Sequence, residues 1–243
     1  MDPVAEAARH LRISEYIVVF TGSGISVESG IPTFRGRDGL WSRVDPSQVA
    51  TPEAYRRNPE YVWEWYRMRI SHVLKAKPNM GHKIISKWER VGIVRTVITQ
   101  NVDNLHYKAG SRNIIELHGN ILRVRCFQCG YRDDIRGYIK DTLPRCPKCS
   151  GLMRPDVVWF GEPLDPDILA RAFREAENSD LMLVIGTSGT VYPAAYIPIR
   201  AKSMGSIIVE INPEDTELTS IADICIRMPA SRALKALDDE INK

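Results

Sequence analysis

The sequence predicts an α/β fold: a parallel sheet covered by helices on both faces, with a cysteine-stapled module inserted into it. Three observations carry this. Four β-branched runs each end in loop residues: YIVVFTGSG (16–24), VRTVITQN (94–101), LMLVIGTSG (181–189) and SIIVEINP (206–213). Helical patterns at 80–91, 165–178 and 193–204 fall between them, and strands alternating with helices build parallel sheets. Two Cys-x-x-Cys pairs, Cys126/Cys129 and Cys146/Cys149, bracket a polar stretch.

Composition sets the frame. The chain has 243 residues, 44% apolar and 26% charged, which suits one large domain or two unequal ones. The formal charge of +3 comes from scattered Lys and Arg without a basic run, so charge gives no case for nucleic acid. No apolar stretch approaches the ~20 residues that span a bilayer. A cytoplasmic protein is expected, with no membrane partner and, as the simplest state, a monomer.

Taken in order, MDPVAEAARHLRIS has early acids and no apolar run, so it reads as a short amphipathic helix and not as a secretory signal. The first strand run ends in TGSGIS. Gly22 and Gly24 match the start of G-x-G-x-x-G, but Val27 stands at the third glycine. Two glycines would let backbone N–H groups approach a phosphate, and a helix after them would add its dipole. No acid ends a second strand ~20 residues on, as the dehydrogenase fingerprint requires. Instead residues 32–91 form an insertion: the loop GIPTFRGRDGLW, then the helical stretch PEYVWEWYRMRISHVLKA. The strand ends TGSGIS, TQNVDN, GTSGT and INPE then form one plausible site, since ligands on parallel sheets sit beyond the carboxyl ends of strands.

Sixteen residues separate Cys129 from Cys146, and Cys225 is left over. In a reducing compartment this spacing favours metal over disulfides. Four thiolates close a tetrahedral zinc shell and leave no position for water, so the zinc is expected to be structural. Gly130 and Gly151 suit the two knuckle turns.

Together these segments resemble the sirtuins, NAD-dependent protein lysine deacylases. GSGISVESGIPTFRGRDGLW resembles the first family signature, with Ser23 where the common form GAGIS has alanine. TQNVDNLH resembles the second and ELHGN the third. The four cysteines look like the family's zinc module, and VVWFGEPL, GTSGTVYPAA and EINPE come in the family's order. The resemblance runs over nearly the whole chain. It implies a Rossmann-like NAD-binding domain of residues 1–34, 92–119 and 155–243. It also implies a small domain made of a helical module at 35–91 and a zinc-ribbon module at 120–154, with the active cleft between the two domains. The glycine-rich turn common near the adenine is replaced here by DICIRMPASRAL, with Met228 and Pro229.

The resemblance makes NAD the co-substrate and acylated lysine peptides the partners, with nicotinamide, 2′-O-acyl-ADP-ribose and free lysine as products. His118 is the expected general base on a ribose hydroxyl, because imidazole titrates near working pH. His106 is weaker, and His10, His72 and His82 are ordinary. Asn101 is assigned to the ribose region and its water. Asp103, with the Val102 backbone, is assigned to the nicotinamide carboxamide, although the same residues could form an Asx-type helix cap. Gly22, Ser23, Gly24 and Ile25 belong to the phosphate and nicotinamide end. Phe34 would screen the reactive ribose from water and Arg35 would pair with phosphate. Gln100 supports the ribose, Gly186, Thr187 and Ser188 meet phosphate or ribose, and Asn212 meets the adenosine ribose.

The substrate side is expected on VVWFGE (157–162), an extended run with one open edge to which a peptide adds as a strand through Val158, Phe160, Gly161 and Glu162. The bland reading is a core strand stopped by Gly161. Tyr66 and Arg69 lie at i and i+3 on one helix face. This Tyr-x-x-Arg pair, with Thr33 in IPTFRG, resembles the subclass that removes succinyl and malonyl groups. The alternative is a surface arginine paired with Glu60 or Glu64. Rival functions are a mono-ADP-ribosyltransferase using NAD, a zinc-ribbon nucleic-acid-binding protein and a dehydrogenase.

Overall fold

The computed structural model describes residues 2–36, 39–140 and 142–243. The strands are β1 (Ile17–Thr21), β2 (Val94–Thr99), β3 (Ile114–Glu116), β4 (Gly119–Cys126), β5 (Arg132–Asp134), β6 (Met153–Val157), β7 (Leu181–Ile185), β8 (Ile207–Ile211) and β9 (Ile224–Ile226). The helices are α1 (Pro3–Ile13), α2 (Pro46–Val49), α3 (Pro52–Arg57), α4 (Pro59–Lys75), α5 (Met80–Arg90), α6 (Leu105–Ala109), α7 (Pro166–Glu177), α8 (Tyr196–Ser203) and α9 (Ala230–Ile241).

The four predicted runs form the centre of a six-stranded parallel sheet in the order β3-β2-β1-β7-β8-β9. β1 and β7 are buried along their whole length, as strands covered on both faces must be. Alternation sorts their side chains. Ile17, Val19, Leu181 and Leu183 face a core with α1, α5 and α9. Val18, Phe20, Met182 and Val184 face a core with α7 and α8. The edge strands β3 and β9 are three residues each, too short to read as β-branched runs.

The sheet order explains where a site forms. From β1 the chain builds outward through β2 and β3. From β7 it builds the other way through β8 and β9. The connections diverge at β1/β7, and such a switch point opens a crevice at the carboxyl ends of the strands.

The second core joins the helical insertion to an antiparallel sheet, β5-β4-β6. It holds Tyr55, Trp63, Trp65, Tyr66, Val124, Cys126 and Trp159. This small sheet runs past residue 154, the end expected for its module, because Pro155 to Val157 pair with β4. Among the described residues, Asp2, Asp45, Thr51, Asn58 and Asp165 each cap a helix whose first residue is proline. The side-chain oxygen takes a free N–H of the first turn while proline, lacking one, presets the helical φ.

The segment 157–162 is not an extended run. β6 stops at Val157, and the Glu162 N–H turns back to the Trp159 carbonyl at 3.0 Å. Its edge is also partly used: the Val158 N–H donates to the His118 carbonyl and the Phe160 N–H to the Ala50 carbonyl, each at 2.9 Å. No described helix is long and apolar enough to cross a membrane.

Candidate active site

The cysteine module comes together as its spacing demands. The four Sγ atoms lie within 4.8 Å of one another, with Cys126 and Cys149 at 3.5 Å and Cys129 and Cys146 at 3.6 Å. Zn–S bonds of about 2.3 Å in a tetrahedron put sulfurs about 3.8 Å apart, so the set fits one structural Zn2+ with no open position. Backbone N–H groups of Gln128, Cys129 and Lys148 point at Cys126 and Cys146 sulfurs at 3.4 Å, which favours the thiolate. Gly130 takes the left-handed conformation of the first knuckle (φ 73°), but in the second that residue is Ser150 (φ 59°), not Gly151. A Cβ on Gly151 would lie 2.4 Å from Gln128 Oε1, the end of a side chain that can turn aside.

A cavity of about 700 Å3 opens at the switch point. It gathers Gly22, Ser23, Gly24, Phe34, Arg35, Gln100, Asn101, Val102, His118, Gly186, Thr187, Ser188 and Asn212, together with Tyr66, Arg69, Val158, Phe160, Gly161 and Glu162. Two expected residues lie behind its wall. Ile25 is fully buried in the core under the sheet. Asp103 is buried behind Val102, where its carboxylate accepts from Ser26 Oγ (2.6 Å) and the Leu105 N–H (2.9 Å). The Asx-type contact at the head of α6 is therefore present. Burial raises the Asp103 pKa, against the lowering by those two donors.

The glycines of the first loop act by close approach. A Cβ on Gly24 would meet Gly186 Cα at 2.6 Å, and one on Gly22 the Gly186 carbonyl at 2.7 Å. Their N–H groups are already bonded, Gly22 to the Ile185 carbonyl and Gly24 to the Gly186 carbonyl, so they are not the phosphate donors the sequence suggested. The chain then enters the 3-10 turn Ser23–Ser29, too short to supply a full helix dipole.

Beyond β2, Asn101 is fixed on three sides. Its N–H bonds Thr99 Oγ1 at 3.0 Å, and its Nδ2 reaches the Gly22 carbonyl at 3.1 Å and Ser26 Oγ at 3.3 Å. Gln100 Nε2 donates to Thr187 Oγ1 at 2.8 Å, and Asn212 Nδ2 to the Thr187 carbonyl at 3.2 Å, tying three strand ends together. His118 Nδ1 lies 3.1 Å from the Gln100 carbonyl. A carbonyl only accepts, so Nδ1 carries the proton and Nε2 is the basic nitrogen. Burial lowers the His118 pKa; the Gln100 contact opposes this and Arg35 adds to it. The ring is thus neutral and able to take a proton at neutral pH.

Arg69 is not a surface arginine paired with Glu60 or Glu64. Its guanidinium carbon lies 4.6 Å from the Phe34 ring centre and 4.9 Å from that of Trp65, and among the described residues it has no hydrogen bond or ion pair. Beside it the Tyr66 hydroxyl accepts from Trp159 Nε1 at 2.8 Å. Glu162 is differently employed: its carboxylate binds Arg154, Arg125 and the Trp159 N–H. Sequence reasoning missed the aromatic wall of Trp41 and Trp159; on the far lip it missed Asp215, beside the Glu214 of INPE, while Pro229, marked from sequence near the adenine, lines the cavity with Ala230. Trp159 stood inside a quoted motif, and its donor-only indole was the signal that it needed a partner.

Comparison with known proteins agrees over nearly the whole chain. The Sir2 family model matches residues 22–193. The NAD-dependent protein deacylase of Aeropyrum pernix is 54% identical over 95% of this chain and 94% of its own. That of Pyrococcus abyssi is 51% identical over 99% and 98%. A Sir2 homologue in complex with NAD superposes with a TM-score of 0.92 at 46% identity, covering 98% of this chain and 93% of that one. A Sir2–p53 peptide–NAD+ complex gives 0.89 at 34%, covering 97% of each. With its strand-end cavity, its four-cysteine cluster and these relatives, the chain belongs to the Sir2 family.

Proposed function

We propose that this protein is an NAD-dependent lysine deacylase whose acyl pocket prefers groups ending in a carboxylate, succinyl and malonyl ahead of acetyl. NAD is the co-substrate. The loops after β1 and β7 hold its phosphates, Gln100 and Asn101 the nicotinamide ribose, and Asn212 the adenosine ribose. NAD supplies a labile bond between ribose and nicotinamide, and the acyl oxygen of the modified lysine attacks at that carbon. His118 takes the ribose hydroxyl proton on Nε2, and Phe34, packed 5.3 Å from Trp41, screens the site from water. The deprotonated ribose oxygen then attacks the acyl carbon, and one water replaces the oxygen left on the ribose as the lysine amine departs; the products are nicotinamide, free lysine and 2′-O-acyl-ADP-ribose. Capture of ADP-ribose by protein is disfavoured, because the relatives of high identity are named as deacylases. Four zinc-binding thiolates suit a reducing cytoplasm.

The observation that carries the acyl preference is Arg69: a cation on the cavity wall, with aromatic faces on two sides and, among the described residues, no carboxylate in direct contact, the buried Asp103 acting on it only from a distance. Burial lowers its pKa, the sign of a charge short of solvent. A carboxylate would supply the missing partner through charge-assisted bonds. Losing such a pair costs on the order of 2–4 kcal/mol. Arg69→Met is therefore expected to shrink the succinyl-to-acetyl ratio of kcat/KM by roughly tens to hundreds of fold. An unchanged ratio would overturn the preference.

A further inference from the structure

We propose that Trp159 sets the polarity of the acyl pocket: by donating its indole N–H to Tyr66 it leaves Tyr66 a donor toward the cavity, so the pocket takes a carboxylate and rejects the isosteric carboxamide. This rests on the carboxylate reading above and assigns it a further specificity residue.

An indole N–H can only donate. At 2.8 Å from the Tyr66 oxygen it takes one acceptor position of the phenol. Among the described residues nothing accepts the Tyr66 hydrogen, and Tyr66 lines the cavity. Tyr55 shows the contrast. It too receives an indole N–H, from Trp63 at 3.1 Å, shared there with the Met153 carbonyl at 2.8 Å, but its own hydrogen goes to that same carbonyl at 2.5 Å, so nothing is left over. Tyr66 repeats the pairing without the outlet.

The indole is held so that it cannot turn away. The Arg154 guanidinium lies 3.2 Å from the Trp159 ring centre and is itself 1% exposed. Arg154 grips both oxygens of Glu162 and the Val157 carbonyl, and Glu162 takes the Trp159 backbone N–H at 2.9 Å. The pair of buried Arg154 and partly buried Glu162 is thus the mount for a donor that acts through Tyr66. With one acceptor position filled by the indole, Tyr66 offers its hydrogen to the cavity, and Arg69 offers donors only. A carboxylate end, all acceptor, satisfies both, whereas an amide end carries an NH2 that Arg69 cannot receive and that competes at Tyr66 for an oxygen already engaged.

The test compares peptides bearing succinyl-lysine and its terminal carboxamide analogue, of equal length, at saturating NAD. Wild type should favour succinyl. Trp159→Phe and Tyr66→Phe should each narrow the succinyl-to-carboxamide ratio of kcat/KM by about ten-fold, the size of one hydrogen bond to a charged group. The loss should fall on the succinyl KM and not on kcat. Because Trp159 acts through the Tyr66 hydroxyl, the double variant should lose no more than Tyr66→Phe alone. Additive losses, or an intact ratio in Tyr66→Phe, would overturn the proposal. An intact ratio in Tyr66→Phe overturns the proposal even if Trp159→Phe does not fold, and Trp159→Leu then takes its place in the comparison. Arg69→Met, assayed alongside with acetyl peptide, separates the two levels. An unchanged succinyl-to-acetyl ratio there sinks the carboxylate reading itself. A collapsed one beside an unmoved carboxamide ratio sinks only the role of Trp159.

Discussion

His118 shows how much a single contact decides. With Nδ1 committed to the Gln100 carbonyl, only Nε2 can act as base. Its pKa lies below the ordinary imidazole value, chiefly through burial. The neutral form therefore persists as pH falls below about 6.5, and the acidic limb of kcat/KM should lie under that value. A limb at or above it in the pH–rate profile would contradict the assignment. His118→Ala should lower kcat/KM by roughly 100-fold or more, read as nicotinamide release. A second histidine reports through stability. His82 sits 5.0 Å from His106, ring to ring, and burial carries its pKa down to about 4. A folded pKa below the unfolded one favours the fold fully above about pH 6.5, and that share is lost as pH falls toward about 4. Urea titrations should show His82→Gln losing less stability over this window than wild type, by on the order of 2–3 kcal/mol. Equal slopes would exclude His82 as a source. His82 was dismissed from sequence because a lone histidine on a helix carries no sign of a partner 24 residues away.

At the scale of elements, the loops after β1 and β7 work as one piece. Gly186 takes φ 60°, and a Cβ on it would sit 2.6 Å from the Ile25 nitrogen. Gly186→Ala should push the loops apart and weaken NAD at least ten-fold by calorimetry, while the sheet, buried on both faces, stays folded by circular dichroism. Unaltered affinity would show that the close approach is dispensable. These loops were legible because β-branched runs ending in Gly, Asn or Ser mark strand ends directly. The reason for the glycines was not, since backbone approach between loops about 160 residues apart leaves no local pattern. Short elements were missed for a related reason. β3 and β9 are held by their neighbours in the sheet, not by their own sequence, and α9 starts after Pro229 without a side-chain cap. VVWFGE misled in the other direction: its apolar run looks extended, but the grip of Arg154 and Arg125 on Glu162 folds it into a turn.

Across the whole molecule, two cores meet at one cavity, with the switch point of the sheet supplying one wall and the aromatic insertion the other. The zinc module belongs to the second core through Cys126 and Cys146, both nearly fully buried in it. Chelating the zinc should therefore lower the melting temperature and abolish deacylation together, because the wall bearing Trp159 loosens with its sheet. Activity surviving complete removal, verified by metal analysis, would separate the two. The alternating strand and helix pattern carried the architecture, and cysteine spacing carried the metal. The acyl wall needed coordinates, since Tyr66, Arg69 and Trp159 meet only in three dimensions. The most direct measurement places equimolar acetyl-lysine and succinyl-lysine peptides in one tube with NAD and tracks both by mass. The succinyl peptide should be consumed first, with one nicotinamide and one 2′-O-succinyl-ADP-ribose formed per lysine freed. Consumption of the acetyl peptide first, or nicotinamide release with ADP-ribose left on protein, would contradict it.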